Sequence, residues 1–462
     1  MVTDGLVLTQ SRTIHIVGIG GAGMSAIALV LEGMGHTVSG SDLKMSAALE
    51  RLDLAGIDVR VGHDASHVPP DADAVVSSTA VASTNVEVEA ARARGITVAR
   101  RAELLAAITA TTRTIGVAGV HGKTTTSSML ALVLRAAGAH PSFIIGGELN
   151  EVGTNAAFDV GEWMVVEADE SDGTFLELDL EAAIVTNVEP DHLDYYGSFP
   201  ALVDAFSRFV DEVPGPKLLC ADDPVAREIA AARTDVRTYG WADDANYRIV
   251  DYEPGRVGSR WRLERDGVAL GPLALPVPGR HNAANAVGAA ALATELGVEF
   301  EPIRQALGRF GGVARRFQFR GEYAGATVVD DYAHLPGEVA HTIEAARESG
   351  WARIVVVFQP HRYTRTARLA SEFADAFCGA DQLVLADVYP AGEMPQPGVS
   401  GRLVLRSVLD AHPDQAVAYF PHRAELAARV ANYVKPGDLL LTLGAGDLTT
   451  LADELAVREG GA

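Results

Sequence analysis

The stretch Gly119-Val120-His121-Gly122-Lys123-Thr124-Thr125 decides the fold of this chain. It follows the apolar residues 114–118 and precedes a helix-like pattern from Ser127 to Ala137, which stops at Gly138. A strand, a glycine-rich turn with a lysine, and a helix make a phosphate cradle, because backbone N–H groups and the helix N-terminus face the anion. Lys123 adds a positive charge, and the Thr124 hydroxyl can hold Mg²⁺. The stretch therefore predicts a P-loop-type domain that binds a nucleoside triphosphate.

The spacing of this turn differs from the standard phosphate loop. The standard pattern places four residues between its first glycine and the Gly-Lys pair. Here Gly116 lies too far from Gly122, and Gly119 lies too near. A glycine-rich turn with no ligand is the competing interpretation.

Size and charge limit the possible functions. A chain of 462 residues is longer than one core usually supports, so two or three domains are expected. The formal net charge of −23 argues against nucleic-acid or anionic-membrane partners. Cys220 and Cys378 are far apart and have no metal-ligand spacing, which is typical of free thiols in a reducing compartment. With no signal-peptide pattern and no apolar run of about 20 residues, we expect a cytoplasmic protein.

A second glycine-rich turn lies near the start of the chain. The predicted strand Thr13 to Val17 leads into Gly18-Ile19-Gly20-Gly21-Ala22-Gly23, an apolar helical pattern follows, and a predicted strand from His36 to Ser39 runs into Asp42. This is the Gly-x-Gly-x-x-Gly fingerprint of a βαβ unit. Such a loop recognises a pyrophosphate, so either a dinucleotide or a nucleotide sugar fits it.

Polar clusters follow two strands predicted after the phosphate loop. The first cluster begins at Glu167, after the strand at 163–166, and the second ends at His192, after the strand at 182–186. In parallel α/β sheets, ligand groups gather at the carboxyl ends of strands. Thr124 and Glu167 are therefore candidate Mg²⁺ ligands, with His192 a less usual third. A solvated acidic turn is the alternative.

The last segment is rich in arginine and histidine residues where it is expected to meet the site. They include Arg315, His334, His361, Arg362 and Arg365, and a boundary is expected at Gly311-Gly312. Guanidinium groups match carboxylates and phosphates in shape and charge. A doubly wound sheet with a site at one edge is expected here.

The motifs together resemble the Mur ligases of bacterial cell-wall synthesis, and the resemblance is greatest to the member that adds alanine. They run in family order over nearly the whole chain: GIGGAGM (18–24), GVHGKTTT (119–126), EADESDGTF (167–175), NVEPDHLDYY (187–196), PGRHNAANA (278–286), RRFQ (315–318), DDYAHLP (330–336), FQPHRYTRT (358–366), DVYPAGE (387–393) and GAGD (444–447).

The resemblance implies an α/β protein of three domains. These are a Rossmann-like UDP-sugar-binding domain at 1–107, a central ATP-binding domain at 108–312 and a Rossmann-like amino-acid-binding domain at 313–462. It implies that ATP and Mg²⁺ serve to join L-alanine to the lactyl carboxylate of UDP-N-acetylmuramate through an acyl phosphate. It gives no oligomeric state.

The resemblance also implies residue roles. Catalytic roles fall to Lys123, His192, Arg315 and His334, and metal binding to Thr124, Glu167 and His192. ATP binding falls to Gly119, Val120, His121, Gly122, Lys123, Thr124, Thr125, His281, Asn282 and Asn285. UDP-sugar binding falls to Gly18, Gly20, Gly21, Ala22, Gly23, Met24 and Asp42, and amino-acid binding to Tyr332, His361, Arg362 and Arg365.

Other functions remain as alternatives. Later-acting Mur ligases are expected to carry a modified lysine after the metal-site histidine, but there is no lysine from Leu193 to Pro216. Val120, Ala333 and Leu335 depart from the residues common in the family. A murein-peptide-recycling ligase, an NAD-dependent oxidoreductase built on the first glycine loop, and a regulatory protein with an inactive nucleotide site are the competing hypotheses.

Overall fold

The structure is a computed structural model that describes residues 6–78 and 80–460. It contains three β-sheets, one within each predicted domain, which confirms the expected α/β class. By contact density the chain forms two compact units. One holds the described residues up to Asp251 with Trp261–Ala274 and Ala284–Phe310, and the other holds Tyr252–Arg260, Leu275–Ala283 and the described residues from Gly311 onward. The domain boundaries at 107 and 312 stay predictions.

The first sheet is a doubly wound parallel sheet. Its elements are β1 (Thr13–Val17), α1 (Ala22–Gly33), β2 (Thr37–Asp42), α2 (Ala47–Leu54), β3 (Asp58–Val61), β4 (Ala74–Ser77), α3 (Val86–Ala93), β5 (Thr97–Arg100) and α4 (Arg101–Thr109). The strand order is β3-β2-β1-β4-β5, and all four pairings are parallel. The order reverses beside β1, so the loop after β1 lies at the switch point where such sheets bind ligands.

A buried carboxylate ties the layers of the first sheet together. Glu87 of α3 is fully buried. Its Oε2 accepts from the Ser41 hydroxyl at 2.5 Å and lies 3.4 Å from His15 Nε2, while its Oε1 accepts from the Asp64 N–H at 3.0 Å and lies 3.1 Å from His67 Nδ1. Buried carboxylates need such partners because desolvation of an unpaired charge is costly.

The second sheet has ten strands. Its elements are β6 (Arg113–Ala118), α5 (Lys123–Ala136), β7 (Ser142–Leu149), β8 (Thr154–Ala157), β9 (Trp163–Glu167), β10 (Ala182–Val185), α6 (Leu193–Tyr196), α7 (Phe199–Glu212), β11 (Lys217–Cys220), α8 (Pro224–Ala231), β12 (Val236–Gly240), β13 (Tyr247–Gly255), β14 (Gly258–Arg265), β15 (Val268–Leu275), α9 (Arg280–Glu295) and α10 (Phe300–Gly308). The order is β15-β14-β13-β12-β11-β10-β6-β9-β7-β8, and β6 pairs in parallel with both β10 and β9. The phosphate-loop strand thus lies between the two strands that precede the predicted polar clusters.

Two predicted element boundaries in these sheets are corrected. Helix α5 begins at Lys123, one turn before the predicted start at Ser127. The three threonines have low helix propensity and conceal the first turn, whereas Gly122 at φ 84° already turns the chain into the helix. Strand β2 runs to Asp42 rather than stopping at Ser39, because Gly40 allows close approach to Ile16 of β1.

The third sheet has six strands. Its elements are β16 (Gln318–Tyr323), β17 (Ala326–Asp331), α11 (Pro336–Glu348), β18 (Ile354–Phe358), α12 (Tyr363–Leu369), β19 (Gln382–Ala386), α13 (Arg402–Ala411), β20 (Val417–Phe420), α14 (Leu426–Val430), β21 (Leu439–Leu443) and α15 (Leu451–Gly460). The order is β16-β17-β21-β18-β19-β20, with β16 antiparallel and the other pairings parallel. Its central strands are buried on both faces, as expected when helices cover both sides.

The described helices are short. Within residues 6–78 and 80–460, no helix has the length and apolar character needed to cross a bilayer. Helix α9, with 16 residues, is shorter than the roughly 20 residues that such a crossing requires.

Candidate active site

The phosphate loop after β6 is built around two glycines. Gly119 has φ 130° and Gly122 has φ 84°, values that side chains other than glycine rarely adopt. A Cβ atom on Gly119 would overlap the Thr186 hydroxyl, and one on Gly122 would lie 2.7 Å from Asn285 Oδ1. Both positions therefore require glycine for conformation and for space, and Asn285 of α9 lies against the loop.

Two residues after β10 hold the loop in place. The Asn187 side chain accepts from the His121 N–H at 2.9 Å and donates to the His121 carbonyl at 2.9 Å. The Thr186 hydroxyl donates to the same carbonyl at 2.5 Å. Neither residue was selected as a site residue from the sequence. Their position directly after a strand that neighbours β6 is the pattern that could have identified them.

The loop leads directly into the N-terminus of α5. The first hydrogen bond of the helix runs from the Thr126 N–H to the Gly122 carbonyl, so the N–H groups of Lys123, Thr124 and Thr125 have no intrahelical partner. Among the described residues, no side chain caps this end. Three N–H donors at the positive end of a helix dipole form an anion-binding site.

Lys123 forms a buried ion pair with Glu170. Its Nζ lies 2.9 Å from both carboxylate oxygens and donates to the Gly119 carbonyl at 2.6 Å. The Glu170 side chain is 1% exposed and that of Lys123 16%. Burial alone would lower the pKa of Lys123, but the charges of Glu170 and Asp169 outweigh it and the pKa lies above its ordinary value. Lys123 is therefore charged at neutral pH. Glu170 was not predicted as a site residue. Its position within the acidic cluster after β9 was the only sign in the sequence that it lies near the site.

The predicted metal ligands follow three adjacent strands. Thr124 is on the first turn of α5, Glu167 ends β9, and His192 precedes α6. Glu167 accepts from the Gly146 N–H at 2.5 Å and contributes to the field at Lys123. His192 Nε2 lies 3.9 Å from Glu170 Oε1. A hydroxyl and a carboxylate are hard oxygen donors and fit Mg²⁺, whereas the imidazole nitrogen is a less usual ligand.

The first glycine loop is closed by Asp42. Gly18, at φ 81°, donates its N–H to the Ser41 carbonyl at 2.8 Å, and the Gly20 N–H donates to Asp42 Oδ2 at 2.9 Å. Gly21 is the N-cap of α1, so residues 22–24 form its first turn. Asp42 was predicted to bind the nucleotide sugar; in the structure its carboxylate orders the loop itself.

Arg101 lies beside this loop and was not predicted as a site residue. A Cβ atom on Gly23 would lie 3.6 Å from Arg101 Nη1. Arg101 Nη2 donates to Asp172 Oδ2 at 3.2 Å, and Arg101 Nε is buried without a hydrogen-bond partner among the described residues. A guanidinium beside a helix N-terminus adds positive charge where a pyrophosphate is expected. Arg101 thus links the first glycine loop to the acidic cluster that contains Glu170.

Predicted residues of the third sheet form a connected group. The Arg315 guanidinium lies 4.8 Å from the Tyr332 ring centroid, and the Tyr332 and His334 rings are 5.4 Å apart. The His334 and His361 rings are 5.7 Å apart, and Arg365 Nη1 donates to His361 Nδ1 at 3.2 Å. Tyr332 and His334 follow β17, and His361 and Arg365 follow β18, so the fold brings these side chains together at strand ends. Arg315 lies in the segment before β16.

The two histidines of this group are neutral at neutral pH. Burial, followed by the charge fields of His334 and Arg365, lowers the pKa of His361 to about 4. Burial also lowers the pKa of His334, although Glu338 opposes it. A neutral His361 accepts the hydrogen bond from Arg365, which leaves positive charge on the arginine to bind an anion.

The remaining predicted residues occupy separate positions. Arg362 is exposed, and its N–H donates to the Tyr389 carbonyl at 2.8 Å. Tyr389 stacks on His361 with 5.7 Å between the ring centroids, a contact that sequence reasoning missed. His281 and Asn282 begin α9, where Asn282 Nδ2 donates to the Pro278 carbonyl at 2.7 Å.

Three family models match the chain in order. The Mur ligase family catalytic domain matches residues 13–113, the Mur ligase middle domain matches 117–293, and the Mur ligase glutamate ligase domain matches 315–446. Their succession agrees with the succession of the three sheets.

Curated relatives are similar over nearly the full length. A UDP-N-acetylmuramate–L-alanine ligase from Bradyrhizobium sp. strain ORS 278 is 49% identical, and the match covers 95% of this chain and 96% of that protein. A ligase of the same name from Desulforamulus reducens is 45% identical, covering 97% of this chain and 98% of that protein.

Solved structures agree with this similarity. The UDP-N-acetylmuramate–alanine ligase of Thermotoga maritima has a TM-score of 0.83 at 29% identity, covering 97% of this chain and 99% of its own. A murein peptide ligase from Psychrobacter arcticus has a TM-score of 0.71 at 23% identity, and the match covers 98% of this chain and 99% of that one. At this identity the match is evidence for the fold only. The order of sheets, the phosphate loop and these full-length similarities show that the chain belongs to the Mur ligase family.

Proposed function

We propose that this chain joins L-alanine to the lactyl carboxylate of UDP-N-acetylmuramate and converts ATP to ADP and phosphate in peptidoglycan precursor synthesis. The observation that carries the reaction class is the phosphate loop, where Lys123 and three unpaired N–H groups lie at one helix N-terminus. The names of the relatives, at 45% and 49% identity, supply the substrates.

The first step is phosphoryl transfer. A carboxylate oxygen of the nucleotide sugar attacks the γ-phosphorus, the bond to the β-phosphate oxygen breaks, and an acyl phosphate and ADP result. The first-turn N–H groups of α5 and the Lys123 ammonium stabilise negative charge on the transferred group. When bound, Mg²⁺ neutralises charge on the phosphate oxygens, and Thr124, Glu167 and His192 are the residues that would hold it.

The second step is amide formation. The alanine amine attacks the acyl carbon, a tetrahedral intermediate forms, and phosphate leaves while the amine loses a proton. We assign the alanine carboxylate to Arg362 and Arg365, since guanidinium groups bind carboxylates with matching geometry. Arg315, Tyr332 and His334 are the other residues that we assign to the amino-acid site. The neutral state of His361 keeps Arg365 oriented through the 3.2 Å hydrogen bond.

The first glycine loop receives the diphosphate of the nucleotide sugar. The positive end of α1 and the Arg101 side chain beside Gly23 favour an anion there.

All three substrates are small molecules, and the net charge of −23 gives no support to a nucleic-acid partner. ATP and nucleotide sugars are made in the cytoplasm, where we place the reaction.

A phosphate-release assay tests this function. ATP, Mg²⁺, UDP-N-acetylmuramate and L-alanine together should release phosphate, and omission of any one should abolish the release. Replacing L-alanine with an L-alanyl tripeptide separates this function from that of a murein peptide ligase. Lys123→Ala should lower kcat by about 10²–10³, whereas Lys435→Ala, which removes an exposed lysine, should leave it unchanged. Absence of phosphate release from the complete mixture would refute the proposal.

A further inference from the structure

Three side chains with metal-binding atoms meet on the surface of the unit that contains the third sheet. They are Asp375, Cys378 and His412, and one ligand atom from each lies within 4.8 Å of the other two. His412 Nε2 is 2.7 Å from Asp375 Oδ1 and 3.3 Å from Cys378 Sγ. This group shares no residue with the predicted substrate or Mg²⁺ sites.

The backbone holds the first two residues in one turn. The Cys378 N–H donates to the Asp375 carbonyl at 3.2 Å. Between them, Ala376 and Phe377 are 5% and 1% exposed and belong to the core of the third sheet. The buried pair fixes the turn, and the two flanking side chains are left exposed on its surface. Two ligands separated by two residues are typical of structural zinc sites.

His412 is fixed by contacts that do not involve its ring. It follows α13, and its N–H donates to the Val408 carbonyl at 2.7 Å. Gln415 donates its N–H to the His412 carbonyl at 3.0 Å and its side-chain amide to the Ala380 carbonyl at 2.9 Å. These bonds tie the segment of His412 to the segment of Cys378, so the ligand positions are preorganised.

Hydrogen bonds among these three side chains do not give the Cys378 thiol and the Asp375 carboxylate a donor–acceptor match at His412 Nε2 at the same time, and solvent reaches the exposed group. If His412 Nε2 carries a proton, it donates to Asp375 and offers no acceptor to the Cys378 thiol. If Nε2 carries no proton, it accepts from the thiol, and its lone pair then faces an acceptor-only carboxylate. A cation bound to Nε2 removes this conflict, because thiolate, imidazole and carboxylate are all ligands of Zn²⁺.

We propose that Asp375, Cys378 and His412 bind a divalent transition-metal ion of the zinc class, with water in the remaining position. The sulfur and nitrogen donors distinguish this site from an Mg²⁺ site, which requires oxygen. Binding releases the thiol proton, so affinity increases with pH.

The location indicates what the ion would do. Asp375 and Cys378 precede β19, and His412 precedes β20, so the site lies at the amino ends of two neighbouring strands. His361 and Tyr389 lie beyond the carboxyl ends of β18 and β19. The ion would therefore crosslink two segments at the edge opposite the amino-acid-binding residues and stabilise the sheet without entering the reaction.

Cobalt titration of the full-length protein tests the proposal. Co²⁺ replaces Zn²⁺ in such sites and absorbs in the near ultraviolet when a thiolate binds it. With excess Mg²⁺ present to occupy oxygen sites, we expect this absorption to saturate at one equivalent of Co²⁺ and to disappear when Zn²⁺ is added. Cys378→Ser should abolish the absorption, whereas Cys220→Ser, which changes the buried cysteine, should retain it.

Thermal unfolding supplies a second measurement. Zn²⁺ should raise the melting temperature of the wild-type protein, because a ligand that binds only the folded state stabilises it. The increase should be absent in Cys378→Ser and in His412→Ala, with phosphate release in Mg²⁺ unchanged in both. Absence of the cobalt absorption in the wild-type protein, or its persistence in Cys378→Ser, would overturn the proposal.

Discussion

Lys123 Nζ lies 2.9 Å from both carboxylate oxygens of Glu170, and the Glu170 side chain is almost completely buried. The lysine that is expected to contact phosphate is therefore neutralised by a carboxylate of its own domain. A phosphate group at the loop must compete with Glu170 for the ammonium. Glu170 is thereby expected to weaken nucleotide binding and to keep the lysine ordered.

Glu170→Gln tests this competition. The substitution leaves a buried ammonium without its main counter-charge, and we expect the free energy of unfolding to fall by about 3 kcal/mol. ATP with Mg²⁺ should then raise the melting temperature of the variant more than that of the wild-type protein, because phosphate supplies the missing charge. Calorimetry with and without nucleotide measures both effects.

Glu162→Gln is the matched control for this substitution. Glu162 pairs with Arg113 at 3.1 Å, but its side chain is 64% exposed, so its loss should cost less than about 1 kcal/mol. Equal nucleotide-induced shifts in the wild-type protein and Glu170→Gln would show that Glu170 does not compete with phosphate.

Arg101→Ala should weaken binding of the nucleotide sugar. Arg101 lies beside Gly23 at the start of α1, and loss of a charge-assisted hydrogen bond costs about 1.5–3 kcal/mol, or roughly tenfold to a hundredfold in affinity. We expect KM for UDP-N-acetylmuramate to rise by that factor and KM for ATP to change little. Steady-state kinetics with each substrate varied in turn checks this. The neighbouring Arg100→Ala, which removes a 64% exposed side chain, should leave both constants unchanged, and an equal rise in both variants would contradict a specific role.

A comparison of Gly119→Ala with Gly138→Ala distinguishes the effect of backbone strain on stability and activity from the effect of steric overlap. Gly138 has φ 74° with open space around its Cβ position, so alanine there should cost about 1–2 kcal/mol and preserve activity. Gly119 has φ 130°, and an alanine methyl would overlap Thr186. We expect a larger loss of stability and no measurable phosphate release. Urea unfolding gives the loss of stability in both variants, and a turnover assay gives their activity. An active Gly119→Ala protein would show that the loop does not need its present shape.

Glu87 should make stability depend on pH in the acidic range. Burial alone raises the pKa of Glu87, but hydrogen bonds, the largest from His15 and Ser41, outweigh it and lower the pKa to about 2, from 4.5. The carboxylate therefore stabilises the folded state above pH 4.5, by about 3 kcal/mol, and this contribution is lost as the pH falls towards 2. Urea unfolding of the wild-type protein and Glu87→Gln should show a constant difference near neutral pH that shrinks below pH 4.5. A difference that does not change with pH would exclude the charge as its cause.

The sequence was sufficient to predict the parts of the fold that depend on strong local patterns. The two glycine turns follow apolar strands and precede helices, so the predicted strand–turn–helix units at β1 and β6 match the structure. The three α/β segments follow from the same alternation. The residue roles stay predictions, although Arg315, Tyr332, His334, His361 and Arg365 do lie together.

The residues that escaped prediction are those whose role depends on pairing between strands. Thr186 and Asn187 contact the phosphate loop only because β10 pairs with β6, and the sequence does not specify which strands are neighbours. Glu170 could not be separated from Asp169 by residue type, since their difference is the 2.9 Å approach of one to Lys123. Arg101, the first residue of α4, lies beside Gly23 of the first loop, a proximity that local patterns do not encode.

The position of β6 between β9 and β10 has a consequence for synthesis of the chain on the ribosome. The glycine–lysine turn emerges early, but the residues that fix it follow a strand that begins some sixty positions later. A nascent chain released before Ala182 would contain the whole turn and lack the partners that shape it. We expect such fragments to bind no nucleotide, and this order of synthesis delays the capture of ATP until the second sheet can close around its central strand.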